Sequence, residues 1–344
     1  MKKIMFSILS LLTALSMSAQ EKGFTIQGNV PQLPDGISVG IGLAEDSITE
    51  IATTTVKDGK FILKGKVKHP TLAMLSTNNL DMVVKNHWPD DSIHWNYIDL
   101  FLSNDDMTMT PDLKIEGGEI QKDFNIVSAH DDWRFNDSIQ WDFINKNPQS
   151  VISVFFVNNM LKRGYGLTTD EVERLSKAIT GVPGDTLRYA EYRWRVEYAR
   201  KSTIGSPLID LEIKTPEGKV THLVDVVPQG KFVLVDFWAS WCGQCIAAFP
   251  ELEKIARKYK REDFEIVDLS IDTKEPAWKN AMKRHPQPWE QYCTTQQGYK
   301  DLFTKYQIGN GVPYFVMVTP DGKVLKSPQT VEEIDELLKF YIKK

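Results

Sequence analysis

The chain has 344 residues, of which 42% are hydrophobic and 25% charged, and its formal net charge is −5. This is enough apolar material for real cores and points to about two or three domains. The acidic balance, without a basic cluster interleaved with aromatics, argues against nucleic acid as a partner. A count of three cysteines excludes a disulfide-built scaffold.

Met1-Lys2-Lys3 followed by IMFSILSLLTALSMSA is a short positive segment, an apolar stretch and a small-residue exit. Residues 1–19 are therefore expected to be a secretory signal peptide, too short to span a bilayer. Its removal takes the net charge to −7, with 39 basic against 46 acidic residues. No cysteine stands at its exit, which argues against a lipid anchor, and no other apolar run approaches the roughly 18 residues of a spanning helix. The expected location is periplasmic, without stable membrane insertion of the mature chain, in a compartment where disulfides persist.

Residues 20–117 alternate with period two: Phe24 and Ile26, then Ile37, Val39, Ile41 and Leu43, then Phe61 and Leu63 after the turn Lys57-Asp58-Gly59-Lys60. Further candidates at Leu72 to Ser76, Met82 to Lys85 and Ile98 to Ser103 make about seven antiparallel strands, read as a small all-β sandwich. His87-Trp88 and His94-Trp95 in this region lack metal-ligand spacing and are read as loop packing. From Gly117-Gly118 the period changes, and residues 118–202 read as a helical segment. Thr168 and Glu171 have capping-box spacing, and Gly181 with Pro183 supplies a stop. Arg188, Arg193, Arg195 and Arg200 share their stretch with Glu191 and Glu197 and read as a solvated helix face.

Residues 203–344 alternate between strand and helix after Gly205-Ser206-Pro207. Expected strands are Val220 to Val227, Phe232 to Trp238, Phe264 to Ile271, Trp289 to Thr294, Tyr314 to Thr319 and Lys323 to Leu325. Expected helices are Gly243 to Tyr259, Pro276 to Arg284, Tyr299 to Tyr306 and Val331 to Ile342. The reading is an α/β domain with a mixed, largely parallel sheet flanked by helices, closed by a hairpin at Asp321-Gly322.

Two of the three cysteines, Cys242 and Cys245, stand three residues apart behind the apolar run Phe232-Val233-Leu234-Val235. Cys242 falls at the first turn of the following helix, where free N–H groups and the helix dipole favour the thiolate, the reactive form. Cys245 is nearly one turn on, on the same face, at a distance that suits a disulfide, so the pair can open and close with little backbone movement. Cys242 is expected to be the nucleophile and Cys245, shielded by Phe249, the resolving thiol. Asp236 lies in the buried strand. Burial raises such a carboxyl toward neutrality and suits proton transfer, although a salt-bridged or water-bound carboxylate at a strand end fits equally. Zinc would need further ligands that are missing, and covalent haem would need histidine where Ile246 stands.

The motif Asp236-Phe237-Trp238-Ala239-x-Trp241-Cys242-x-x-Cys245, with Val312-Pro313 further on, resembles the thioredoxin family. The signal segment, Gly205-Ser206-Pro207 with Asp210, Gly230-Lys231 and Phe249-Pro250 make it most similar to the TlpA/ResA group of envelope disulfide reductases. The sandwich and helical extension resemble more loosely the segments that precede such domains. The resemblance implies that Cys242 is the nucleophile, Cys245 the resolving cysteine, Asp236 the buried proton carrier and Pro313 a cis-proline. Trp241, Gly243, Gln244 and Val312 are then expected on the substrate side. Gln244 replaces the proline usual in thioredoxin, so no redox potential carries over. Ala248 replaces a glutamate of the ResA type, which leaves Asp236 as the expected sole carboxylate nearby.

The expected function is an exported thiol-disulfide oxidoreductase that reduces protein disulfides by dithiol exchange, with no cofactor beyond the redox-active Cys242–Cys245 disulfide. Nothing here binds nicotinamide or flavin, so electrons must come from elsewhere, and the resemblance implies an inner-membrane thiol donor. An oxidase or isomerase is the alternative within the same chemistry. An envelope ligand-binding or sensor protein with a redox switch is the alternative from another class. Cys293 reads as a core cysteine at the same sheet edge as the active pair, with an auxiliary redox role as the minor alternative.

Overall fold

The structure, a computed structural model, describes residues 22–43, 49–77, 97–181, 184, 186–306 and 311–342. The expected signal peptide at residues 1–19, the strand candidate Met82 to Lys85, the two His-Trp pairs and Pro183 lie outside the described residues. Two compact units divide the chain, with the boundary between Ser128 and Ala129.

In the first unit the strands are β1 (Phe24–Asn29), β2 (Ser38–Leu43), β3 (Thr49–Thr55), β4 (Lys60–Gly65), β5 (Thr71–Thr77), β6 (Tyr97–Leu102), β7 (Asp106–Met109) and β8 (Ile115–Glu116). They form two four-stranded sheets, ordered β4-β1-β7-β8 and β3-β2-β5-β6. Phe24, Ile26, Leu63 and Met107 of one sheet share a single apolar core with Val39, Ile41, Leu75 and Leu100 of the other, which makes the unit a sandwich. The Lys57-to-Lys60 turn has positive φ at Asp58 (51°) and Gly59 (67°), the backbone that an Asp-Gly hairpin requires. Strand β1 pairs in parallel with β7, which corrects the all-antiparallel expectation. Helix α1 (Glu119–Ser128) belongs to this unit, although its sequence groups it with the helical segment. Its Phe124 ring packs 5.9 Å from Phe101, and the Phe101 N–H donates to Gln121 Oε1 at 2.7 Å.

The second unit begins with helices α2 (Asp137–Lys146), α3 (Val151–Leu161), α4 (Thr169–Ser176) and α5 (Thr186–Ala199). The capping box forms, since Glu171 N–H donates to Thr168 Oγ1 at 3.2 Å and Thr168 N–H to Glu171 Oε2 at 2.7 Å. Arg200 pairs with Glu173 at 2.8 Å as a solvated face would, but Arg188 departs from that reading. It is buried, with its guanidinium carbon 5.4 Å from the centroid of the Phe155 ring, because its position on α5 faces α3. The segment is built into the rest of the unit. Ile204 N–H donates to Leu167 O at 2.9 Å, Ile209 N–H to Tyr165 Oη at 2.7 Å, and the Tyr165 and Tyr306 rings meet at 5.4 Å.

The seven-stranded sheet that follows has the order β10-β9-β13-β12-β11-β14-β15. Its strands are β9 (Glu212–Lys214), β10 (Val220–His222), β11 (Phe232–Trp238), β12 (Phe264–Ser270), β13 (Glu290–Thr294), β14 (Tyr314–Val318) and β15 (Val324–Lys326). The sheet is mixed, and its parallel pairing is confined to β11, β12 and β13. Its helices are α6 (Leu223–Val226), α7 (Gly243–Lys258), α8 (Glu275–Arg284), α9 (Gln296–Asp301), which runs into a π turn at Leu302–Tyr306, and α10 (Val331–Tyr341). The strand expected at Val220 to Val227 stops at His222. Asp210 takes its continuation away, accepting from Val224 N–H at 3.3 Å and meeting His222 Nδ1 at 2.7 Å, and so starts α6. The steps β11-α7-β12 and β12-α8-β13 advance in the same direction, so right-handed crossovers lay α7 and α8 on one face of the sheet.

Candidate active site

Strand β11 is buried along nearly its whole length and delivers the chain to Ala239, after which the backbone turns into α7. The turn is held from the side. Asp272 accepts from Ser240 N–H at 2.8 Å, from Ser240 Oγ at 2.6 Å and from Ser270 Oγ at 2.8 Å. Cys242 is the N-cap of α7, and its sulfur accepts from the Cys245 N–H at 3.1 Å. The free N–H groups and positive dipole end of the helix therefore face that sulfur. Cys242 and Cys245 are joined in a disulfide with Cα atoms 5.3 Å apart.

The surroundings of the pair are asymmetric. Trp241 is 68% exposed, and Gly243 and Gln244 are exposed on the same tip, while Cys242 keeps 6% exposure and Cys245 1%. The Val312–Pro313 bond is cis, and the Val312 carbonyl oxygen lies 3.4 Å from Cys242 Sγ. Val312 precedes β14 and takes no part in its ladder. The expected residues Trp241, Cys242, Gly243, Gln244, Val312 and Pro313 are thus assembled at one rim of the sheet.

Asp236 lies deeper. It is 1% exposed on β11 and sits on the face covered by α7, where its neighbour in alternation, Trp238, packs against Phe249 at 5.1 Å. Burial pushes its carboxyl up to about 8. It is not the sole carboxylate nearby, which corrects the sequence reading. Asp268 of β12 is its direct partner in the parallel register and is fully buried. Burial raises Asp268 well above the ordinary carboxylate range and the charge of Asp236 raises it further, with a smaller opposing influence from the Trp289 indole. Asp268 stands in the apolar run Ile266-Val267-Asp268-Leu269, the same signal that singled out Asp236, and could have been found by it. Asp272, the residue that holds the Ser240 turn, carries no comparable signal.

Cys293 is fully buried on β13, its sulfur 3.4 Å from the Asp272 carbonyl oxygen, and burial pushes its thiol up to about 11. A thiol so held is protonated and shielded at neutral pH. Among the described residues, no group of three or more His, Cys, Asp or Glu side chains could hold a metal ion.

Residues 230–324 match a family model described as thioredoxin-like, and residues 24–124 match one described as a domain of unknown function (DUF4369). A thiol-disulfide oxidoreductase ResA of Bacillus thuringiensis subsp. konkukian is 30% identical over 164 residues, which span 47% of this chain and 89% of that relative. This chain belongs to the thioredoxin-like thiol-disulfide oxidoreductases. The oxidoreductase is also similar to two solved structures. The thioredoxin domain of a thiol-disulfide oxidoreductase from Bacteroides vulgatus is 28% identical, with a TM-score of 0.38, over 41% of this chain and 98% of that one. A thiol:disulfide interchange protein from Bacteroides sp. is 28% identical, with a TM-score of 0.37, over 40% of this chain and 90% of that one.

Proposed function

We propose that the oxidoreductase is an exported, periplasmic reductase of protein disulfides, with Cys242 as nucleophile and Cys245 as resolving thiol. The observation that carries this reading is the Cys242–Cys245 disulfide at the tip of α7, with Cys242 Sγ beside the Val312 carbonyl. In the reduced protein the Cys242 thiolate attacks a substrate disulfide and expels one substrate thiolate. The extended substrate segment lies along Val312 and Pro313 and over Trp241, Gly243 and Gln244, pairing through backbone groups. Asp236 takes the proton of Cys245, and the Cys245 thiolate attacks Cys242 and releases the second substrate thiolate. A dithiol donor at the membrane then reduces the internal disulfide. No helix among the described residues is long and apolar enough to cross a membrane. The first unit, which ends at Ser128, serves recognition or targeting, and the second unit carries the redox site.

The test is trapping. Cys245→Ser should accumulate a stable mixed disulfide with an envelope protein, Cys242→Ser should give none and should lower disulfide turnover to background, and failure of Cys245→Ser to trap any adduct would remove the reading. Equilibration with glutathione fixes the direction: a potential near about −270 mV supports the reductase, and one near about −120 mV replaces it with an oxidase.

A further inference from the structure

Three buried polar side chains stand in one row across the centre of the sheet. Asp236 of β11 is in register with Asp268 of β12, and Asp268 with Gln291 of β13. Directly paired residues of parallel strands point to the same face, so the row lies under α7 and α8, on the side of the sheet where Cys245 is buried. Asp236 Oδ1, both oxygens of Asp268 and Gln291 Oε1 have no hydrogen-bond partner. Two carboxyls side by side in such a place cannot both ionise, because the second charge would add like-charge repulsion to the cost of desolvation.

Resting on the proposed reductase reading, we propose that Asp268 is a positioning residue of the resolving step: it shares one proton with Asp236 and thereby keeps Asp236 able to accept the proton of Cys245. Among the described residues, no cation acts on either carboxyl. Among titratable groups on that face, α7 contributes Cys245 and β13 contributes Cys293. The Lys214–Glu275 pair, 2.7 Å apart, lies one row further, where Lys214 is in register with Cys293. The β14 residue opposite Asp236 is Phe315, and α8 buries Trp278, both uncharged. An isolated Asp236 would therefore have nothing to stabilise its anion. With a protonated Asp268 beside it, the anion is spread over two carboxyls, and Gln291 Oε1 stands next in the row as an acceptor. The electrostatics are consistent with a shared proton, since burial disfavours the charge on both carboxyls and the charge of Asp236 disfavours it further on Asp268.

The step balances. In its singly protonated form, whose share grows as pH rises toward 8, the pair takes a second proton from the Cys245 thiol and becomes neutral. The Cys245 thiolate forms the bond to Cys242 as the bond from Cys242 to the substrate sulfur breaks, and the substrate leaves as a thiolate. When the donor dithiol reduces the disulfide, it is itself oxidised to a disulfide. Cys245 then leaves as a thiolate and recovers the proton, and the pair returns to one.

The test uses the full chain, reduced and mixed with dithionitrobenzoate. Release of the first thionitrobenzoate reports attack by Cys242, and release of the second reports attack by Cys245. Asp268→Leu should leave the first phase unchanged, slow the second about tenfold at pH 7, and move its midpoint to higher pH by about one unit. Asp268→Asn, which keeps a hydrogen-bond donor, should lie between Asp268→Leu and the wild type. A wild-type midpoint in Asp268→Leu overturns the proposal and leaves the dithiol mechanism intact, whereas absence of a second phase in the wild type overturns both. Should Asp268→Leu fail to fold, infrared titration of the wild type decides. One buried carboxyl band should disappear through about pH 8 and another persist above it, while joint loss of both bands, or persistence of both, overturns the proposal.

Discussion

The core of the sandwich and the centre of the seven-stranded sheet are both fully buried, but they are filled with different chemistry. Between its sheets the sandwich packs Phe24, Ile26, Ile41, Leu75 and Leu100, and the buried polar side chains on the same face of β5 are the uncharged Thr71 and Thr77. The larger sheet places Asp236, Asp268 and Gln291 in one row and Ser270 and Cys293 in the next. The first arrangement serves only to keep apolar surface from water. The second gives up stability to hold ionisable groups beneath the Cys242–Cys245 disulfide, an arrangement that would suit the proposed proton transfer.

The largest expected effect that sharpens this contrast is in the pH dependence of stability. The folded-state pKa of Asp236 is about 8, above its ordinary value of 3.8, so the folded form binds more protons than the unfolded one. Its contribution is fully present below about pH 4 and is lost as pH rises toward 8. Asp268 shifts in the same direction. The double variant Asp236→Asn, Asp268→Asn should remove most of this slope, measured by denaturant unfolding at pH 5 and pH 7.5. Parallel profiles for the variant and the wild type would break the comparison.

A smaller effect is expected in the sandwich. Ile41 is fully buried between the sheets, so Ile41→Ala should cost about 3 kcal/mol through lost burial and a cavity, equally at both pH values. Disulfide turnover per folded molecule should stay at the wild-type level, and a fall in turnover without loss of stability would contradict the division of roles. The smallest effect belongs to the helical segment. Thr168→Ala opens the capping box of α4 and should cost about 1 kcal/mol, read as a shift in the unfolding midpoint with no change in the titration of the pair.

Elements whose cause is local were legible in the chain. The Asp58-Gly59 turn, the Thr168–Glu171 cap and the strand-to-helix passage from Phe232 to Cys245 each follow from a few adjacent residues. Strands β3 and β9 were not, because threonines at Thr49–Thr55 and a three-residue segment at Glu212–Lys214 carry too little alternation to stand out. Val220 to Val227 was misread because the side chain that ends its strand, Asp210, lies well upstream. The placement of α1 was missed for a similar reason, since Gln121 and Phe124 find their partner in Phe101 across intervening chain.

The sequence by itself determined the cysteine pair: two cysteines one helical turn apart at a helix start, behind an apolar strand, because such a pair needs only neighbouring residues and a helix terminus. Only the tertiary structure decided what surrounds that dithiol. It brought Val312, seventy residues on, to within 3.4 Å of Cys242, and put Asp272 beneath the Ser240 turn. It also set Asp268 in register with Asp236, for strand register is a property of the whole sheet, fixed by which faces are buried rather than by either strand alone.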